Sequence, residues 1–191
     1  MSLKRTTQLT AIAAIFLLNT TAATAQDARL AQSRAITKSF ATRLQTALKE
    51  AIAADGPTAA IDVCKDVAPQ IAADESRMSG AKVSRTSLRF RNPRNAPEPW
   101  QAVILETFDA QSKSAEAGTP LEQFAAAADS SAKYMKAIPT GPICLVCHGS
   151  DLAPEVRAAL DEHYPYDRAR GYALGEIRGA FSIRWPAPVE E

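Results

Sequence analysis

Gly179-Ala180-Phe181-Ser182-Ile183-Arg184-Trp185 sets Phe181, Ile183 and Trp185 against Ala180, Ser182 and Arg184. Alternation over a short run rich in aromatic and β-branched residues predicts a strand with one apolar face. Most of the chain before it carries helical spacing, so this stretch makes the class α+β. Upstream, residues 83–90 (VSRTSLRF) alternate in part and read as a second strand or an extended arm. Residues 91–99 (RNPRNAPEP) hold too much Pro and Asn for either regular form and read as an ordered loop.

The helices lie mainly in the N-terminal half. Ile36, Phe40, Leu44, Leu48 and Ile52 recur every fourth residue within a helix expected over 27–55, and Gly56-Pro57 stops it. A second helix is expected from Pro57 or Thr58, with Ile61, Cys64, Val67, Ala68 and Ile71 on its apolar stripe. Pro69 should kink or loosen its last turns. A third helix spans about 100–115, with Trp100 read as a core residue, and Gly118-Thr119-Pro120 breaks it. Residues 121–138 are ambiguous: the alanines favour helix, whereas Tyr134, Met135 and Ile138 suggest a strand near the end. Residues 154–163 read as a short helix opened by proline.

The first residues speak to compartment. Lys4 and Arg5 precede the apolar run 9–18 (LTAIAAIFLL), and Ala23-Thr24-Ala25 has the small-x-small form cut by signal peptidase. The run falls short of the ~20 apolar residues of a membrane span, so a cleaved leader over 1–25 is expected in preference to an anchor. One domain over 26–191 then remains, in the periplasm and without stable membrane insertion. The whole chain has 22 basic and 21 acidic side chains, and the leader carries two of the basic ones. The near-balance left behind offers no field to hold nucleic acid or anionic lipid.

Cys144-Leu145-Val146-Cys147-His148 is the CxxCH pattern of covalent c-type haem attachment. Two thiols at this spacing add across the two haem vinyl groups, and the next residue presents an imidazole to the iron. A CxxC redox pair would open a helix directly after a strand in a βαβ unit, and Pro154 is expected to delay the helix too far for that. A structural zinc site would need two further ligands, and Cys64 and His163 are the only cysteine and histidine left. One covalent haem c is therefore expected, with Cys144 and Cys147 as thioether sites and His148 on the iron. For the second axial position the residues leave Cys64, His163, Met78, Met135 or an open site. The arginines Arg85, Arg89, Arg91 and Arg94 could pair with haem propionates or form a solvated basic loop. Tyr172 reads as a core residue.

Four ordered blocks carry a family resemblance: Ala60-Ile61-Asp62-Val63-Cys64 with Ala68-Pro69; Arg85-Thr86-Ser87-Leu88-Arg89 leading into 91–97; Pro142-Ile143 through His148-Gly149; and Tyr164-Pro165-Tyr166-Asp167-Arg168-Ala169 with Gly171-Tyr172, followed by Gly175-Glu176-Ile177-Arg178-Gly179-Ala180-Phe181-Ser182. Over nearly the whole mature length the chain resembles a family of small periplasmic monohaem c-type proteins, once classed as a domain of unknown function. That module also serves as the sensing part of membrane-bound signalling proteins. The resemblance implies a PAS-like antiparallel sheet flanked by helices, with long N-terminal helices. It also implies that the helical cysteine before Ala-Pro, here Cys64, is the axial ligand opposite His148. The segment before Tyr134 departs from the family in being shorter and richer in alanine.

Ligation by thiolate and imidazole would fill the iron and favour the ferric state, which suits electron transfer or redox sensing. Exchange of Cys64 on reduction would couple electron uptake to helix movement. Sensing of a small gas such as nitric oxide or carbon monoxide, displacing Cys64, is the alternative. A peroxidase-like enzyme would need an open iron site and an acid–base residue. Nothing around His163 recommends it for that role, so no enzymatic activity is expected. The implied partner is an unidentified redox or signalling protein.

Overall fold

The computed structural model describes residues 7–114, 116 and 118–188, with side chains from residue 26 onward. The expected leader over 1–25 and its cleavage site lie outside the residues described with side chains. Among the described residues no helix is long and apolar enough to cross a membrane.

Helix α1 (Thr7–Asp55) buries Ile36, Phe40 and Leu44 on one stripe. It ends where Gly56 turns to φ +81° and donates its N–H to the Ile52 carbonyl. Next come α2 (Ala59–Asp62), a π-helical turn (Val63–Val67) and α3 (Ala68–Ser79), which follow one another without a break. The expected loosening beyond Pro69 does not occur. Proline removes one N–H and its ring crowds the carbonyl four residues back. The chain meets this upstream, by widening the preceding turn so that the Ala68 N–H reaches the Val63 carbonyl, five residues away. Helix α3 then runs on to a left-handed cap at Gly80. Cys64 sits in the widened turn.

Strands β1 (Lys82–Thr86), β2 (Glu122–Ala126), β3 (Ala132–Pro139) and β4 (Ile177–Trp185) form one antiparallel sheet in the order β1-β4-β3-β2. The last strand in sequence is thus an inner one, covered on both faces. Phe181, Ile183 and Trp185 face α1 and pack with Ile36, Phe40 and Tyr134. Ala180 lies on the other face with Met135 and Ala137, against Leu105 and Phe108 of α4 (Pro99–Ser112). There the Gln101 amide donates to the Ser182 hydroxyl at 2.9 Å. An antiparallel sheet flanked by helices behind a long N-terminal helix is the expected α+β arrangement.

Two expectations change. The ambiguous stretch is a hairpin: Gln123 pairs with Met135 and Phe124 with Tyr134, and the alanines lie on the edge strand and its turn, not in a helix. Trp100 is half-buried at the rim of the sheet, where its indole N–H donates to Glu98 at 2.8 Å and the Lys133 ammonium lies 4.9 Å from its ring.

A bulge interrupts β4. Ile138 pairs with Gly179 and Pro139 with Ile177, leaving Arg178 without a partner. In unbroken alternation Arg178 would share a face with Ala180 and Ser182; the bulge re-aims it. Gly179 makes the bulge possible, because a Cβ there would lie 2.5 Å from the Thr86 carbonyl oxygen. Gly179→Ala is expected to lower folding free energy by roughly 1–3 kcal/mol, the usual cost of overpacking. Urea denaturation would read this, and a change under about 0.5 kcal/mol would contradict it.

Candidate functional site

The CxxCH motif lies on a short helix of its own, α5 (Pro142–His148), directly after β3. This corrects the expectation that helix is delayed to Pro154, where α6 (Pro154–His163) begins. Since a CxxC pair does open a helix after a strand here, that ground for setting aside a redox pair falls. The antiparallel sheet, however, offers no βαβ unit. Spacings of three and four put Cys144, Cys147 and His148 on one side of α5. Beneath it, Cys147 packs with Ile61 of α2 and with Leu152, Val156, Leu160 and Tyr164. Gly149 ends the helix where a Cβ would stand 2.7 Å from the Leu145 carbonyl oxygen, so no larger residue fits.

His148 is held from behind. Its Nδ1 lies 2.7 Å from the Ala169 carbonyl oxygen and donates to it, which leaves Nε2 with a free lone pair. Its own carbonyl accepts the Tyr172 N–H at 2.9 Å. Burial pushes the imidazole pKa well down, and the charges of Arg91 and Arg178 push it further, so the ring is neutral and able to bind a metal.

The loop carrying Ala169 is fixed by Asp167. This carboxylate accepts from the Ala169 N–H at 2.8 Å and from Arg170 Nε at 2.7 Å. Arg91 Nε lies 3.1 Å from it in a pair whose side chains are 9% and 1% exposed. Arg91 also donates to the carbonyls of Cys147 and Ala169. It therefore ties α5 to the 164–171 loop. Burial raises the Asp167 pKa, but the hydrogen bond from Arg170 and the charge of Arg91 outweigh it and hold the carboxyl below its ordinary value.

Two adjoining cavities, open at their mouths, meet at this point. Cys64, Arg85, Arg91, His148, Tyr164 and Arg178 line both. The first is otherwise apolar, with Leu44, Leu48, Ile52 and Ile61, and it also receives Cys144 and Cys147. The second adds polar groups, among them Ser87, Arg89, Asn92 and Asn95. None of the three cysteines is in a disulfide among the described residues. Burial raises the Cys147 thiol pKa, opposed by Arg91. The Tyr164 hydroxyl is pushed up to about 12, chiefly by burial and then by the neighbouring Cys64.

Of the four side chains considered opposite His148, Cys64 alone shares these cavities. Met78 is 71% exposed at the end of α3, and Met135 is buried on the α4 side of the sheet. His163 lines a separate cleft with Lys65, Pro165 and Tyr166. Among the arginines, Arg94 sits exposed on a 3-10 turn (Pro93–Asn95) outside both cavities. Arg89 lies over the buried Tyr172 ring at 4.0 Å. Arg178, not singled out in the sequence, lines both cavities, and its buried Nε has no hydrogen-bond partner.

Residues 17–186 match the Tll0287-like family, nearly the whole described chain. The chain belongs to the Tll0287-like family. A solved structure similar to this Tll0287-like chain is that of the cyanobacterial heme-protein Tll0287. It is 27% identical, the match covers 68% of this chain and 74% of that one, and the TM-score is 0.53. No curated protein matches the chain. Membership in the Tll0287-like family agrees with the resemblance carried by the four sequence blocks.

Proposed function

We propose that this is an exported monohaem c-type protein of electron transfer or redox sensing. Cys144 and Cys147 would hold the porphyrin through thioethers, and His148 and Cys64 would be its axial ligands. One observation carries the reading: the CxxCH face of α5 and the Cys64 turn line the same cavity, with the imidazole Nε2 free. The heme-protein named among the similar structures supports it.

The residues fit such a group. The apolar cavity suits a porphyrin face, and the basic one suits an anionic edge. When bound, haem supplies a one-electron ferric/ferrous couple, and thiolate ligation favours a low potential. Ala169 fixes the tautomer of His148 by accepting from Nδ1. Leu44, Leu48 and Ile61 line the thiol side with apolar surface. The π-turn carries Cys64 on backbone that departs from regular α-helix, a feature frequent at functional sites. Neither cavity lining contains Asp, Glu or a second His, which supports a carrier or sensor over an enzyme. The partner we propose is a redox or signalling protein in the periplasm.

Absorption spectra of purified holoprotein, wild type and Cys64→Ser, test the ligation. The wild type is expected to show a ferric thiolate charge-transfer band that Cys64→Ser lacks. Identical ferric spectra would remove Cys64 from the iron. Carbon monoxide uptake by the reduced wild type would favour gas sensing.

A further inference from the structure

Two cations face the cavities without a carboxylate partner. Arg85 and Arg178 make no ion pair among the described residues, and neither cavity lining supplies an Asp or Glu. Arg91, which lines the same space, is already paired with Asp167. Arg85 leans on the Phe40 ring at 5.6 Å. Arg178 keeps a buried Nε without an acceptor, and the β4 bulge has turned it to this side. Burial disfavours the charged form of Arg85; the neighbouring Cys64 opposes this in part, and repulsion from Arg178 adds to it. A buried donor without an acceptor is destabilising, and a pair of like charges adds to that cost. Both costs fall if a carboxylate sits between the two forks, since guanidinium and carboxylate match in plane and spacing.

We propose that Arg85 and Arg178 form a carboxylate-binding pair that receives the propionates of the porphyrin, orienting its opposite, vinyl-bearing edge toward Cys144 and Cys147. The inference rests on the haem reading above. It differs from the group considered in the sequence: Arg94 takes no part, Arg91 serves the protein's own loop, and Arg178 enters.

The test uses the full chain made without haem attachment, with thiols kept reduced. It is titrated with iron-free protoporphyrin IX and with its dimethyl ester, followed by fluorescence. Iron-free porphyrin tests the pocket without iron ligation or thioether formation. The wild type is expected to prefer the free acid by at least about tenfold, as charge-assisted hydrogen bonds of this kind would give. Arg85→Gln/Arg178→Gln should bring the two ligands within about twofold, Arg178→Lys should keep part of the preference, and Arg94→Gln should keep all of it. Equal affinity in the wild type, as expected if the pair serves some free anion, would overturn the proposal, and so would an undiminished preference in the double variant. If the porphyrin-free chain binds neither ligand, resonance Raman spectra of the holoprotein decide. The propionate bending band should shift in Arg178→Gln, and an unmoved band would overturn the pair. Failure of the haem reading looks different, because the matured wild type would then carry no porphyrin at all.

Discussion

Asp167→Ala is expected to cost about 3–5 kcal/mol of folding free energy, because it leaves the buried Arg91 guanidinium without its carboxylate counter-charge. For a chain of this size that lowers Tm by roughly 10 °C. The same change releases the Ala169 N–H and Arg170, so the loop that orients His148 loosens. Asp167→Asn keeps an acceptor and should cost less. Thermal unfolding followed by circular dichroism reads both variants, and an Asp167→Ala Tm within about 2 °C of wild type would contradict the assignment. Protonation is the chemical counterpart of the mutation. The folded-state pKa is depressed below the ordinary value of about 3.9, so the stabilisation is complete above that pH and is lost as pH falls through the lower, folded value. Wild type should therefore lose stability below about pH 4 more steeply than Asp167→Asn.

Replacement of both Cys144 and Cys147 by alanine is expected to abolish covalent attachment entirely, whereas either single replacement should leave one thioether. Acid–acetone extraction distinguishes the cases: colour partitions into the solvent for the double variant and stays with the polypeptide for the wild type. Colour retained by the double variant would assign attachment to some other residue. Cys64→Ala should leave attachment intact, because Cys64 reaches the cavity from the helix that follows α1 and not from the motif helix.

Legibility in the sequence followed how local each cause is. Strand β4 shows its alternation because its two faces differ: Phe181, Ile183 and Trp185 fill the α1-side core, while small Ala180 and polar Ser182 meet α4. The CxxCH chemistry was equally legible, since its three functional residues sit within one helical turn. Strand β2 was not, because Ala125 and Ala126 have helical propensity and their pairing with Lys133 and Ala132 is decided by the hairpin. Pro69 misled for a related reason: its effect fell on the turn before it. Arg178 lay in plain sight within the Gly175–Ser182 block, but its significance depends on a bulge in register, which alternation alone does not reveal. The role of Arg91 likewise needed Asp167, far away in sequence, to be brought within 3.1 Å.

The most direct test is the intact mass of the protein purified from cells able to assemble c-type cytochromes. The account expects a denatured chain heavier than its polypeptide by one haem, with the added mass on the peptide that contains Cys144 and Cys147. A chain matured in such cells that shows only its polypeptide mass would contradict it.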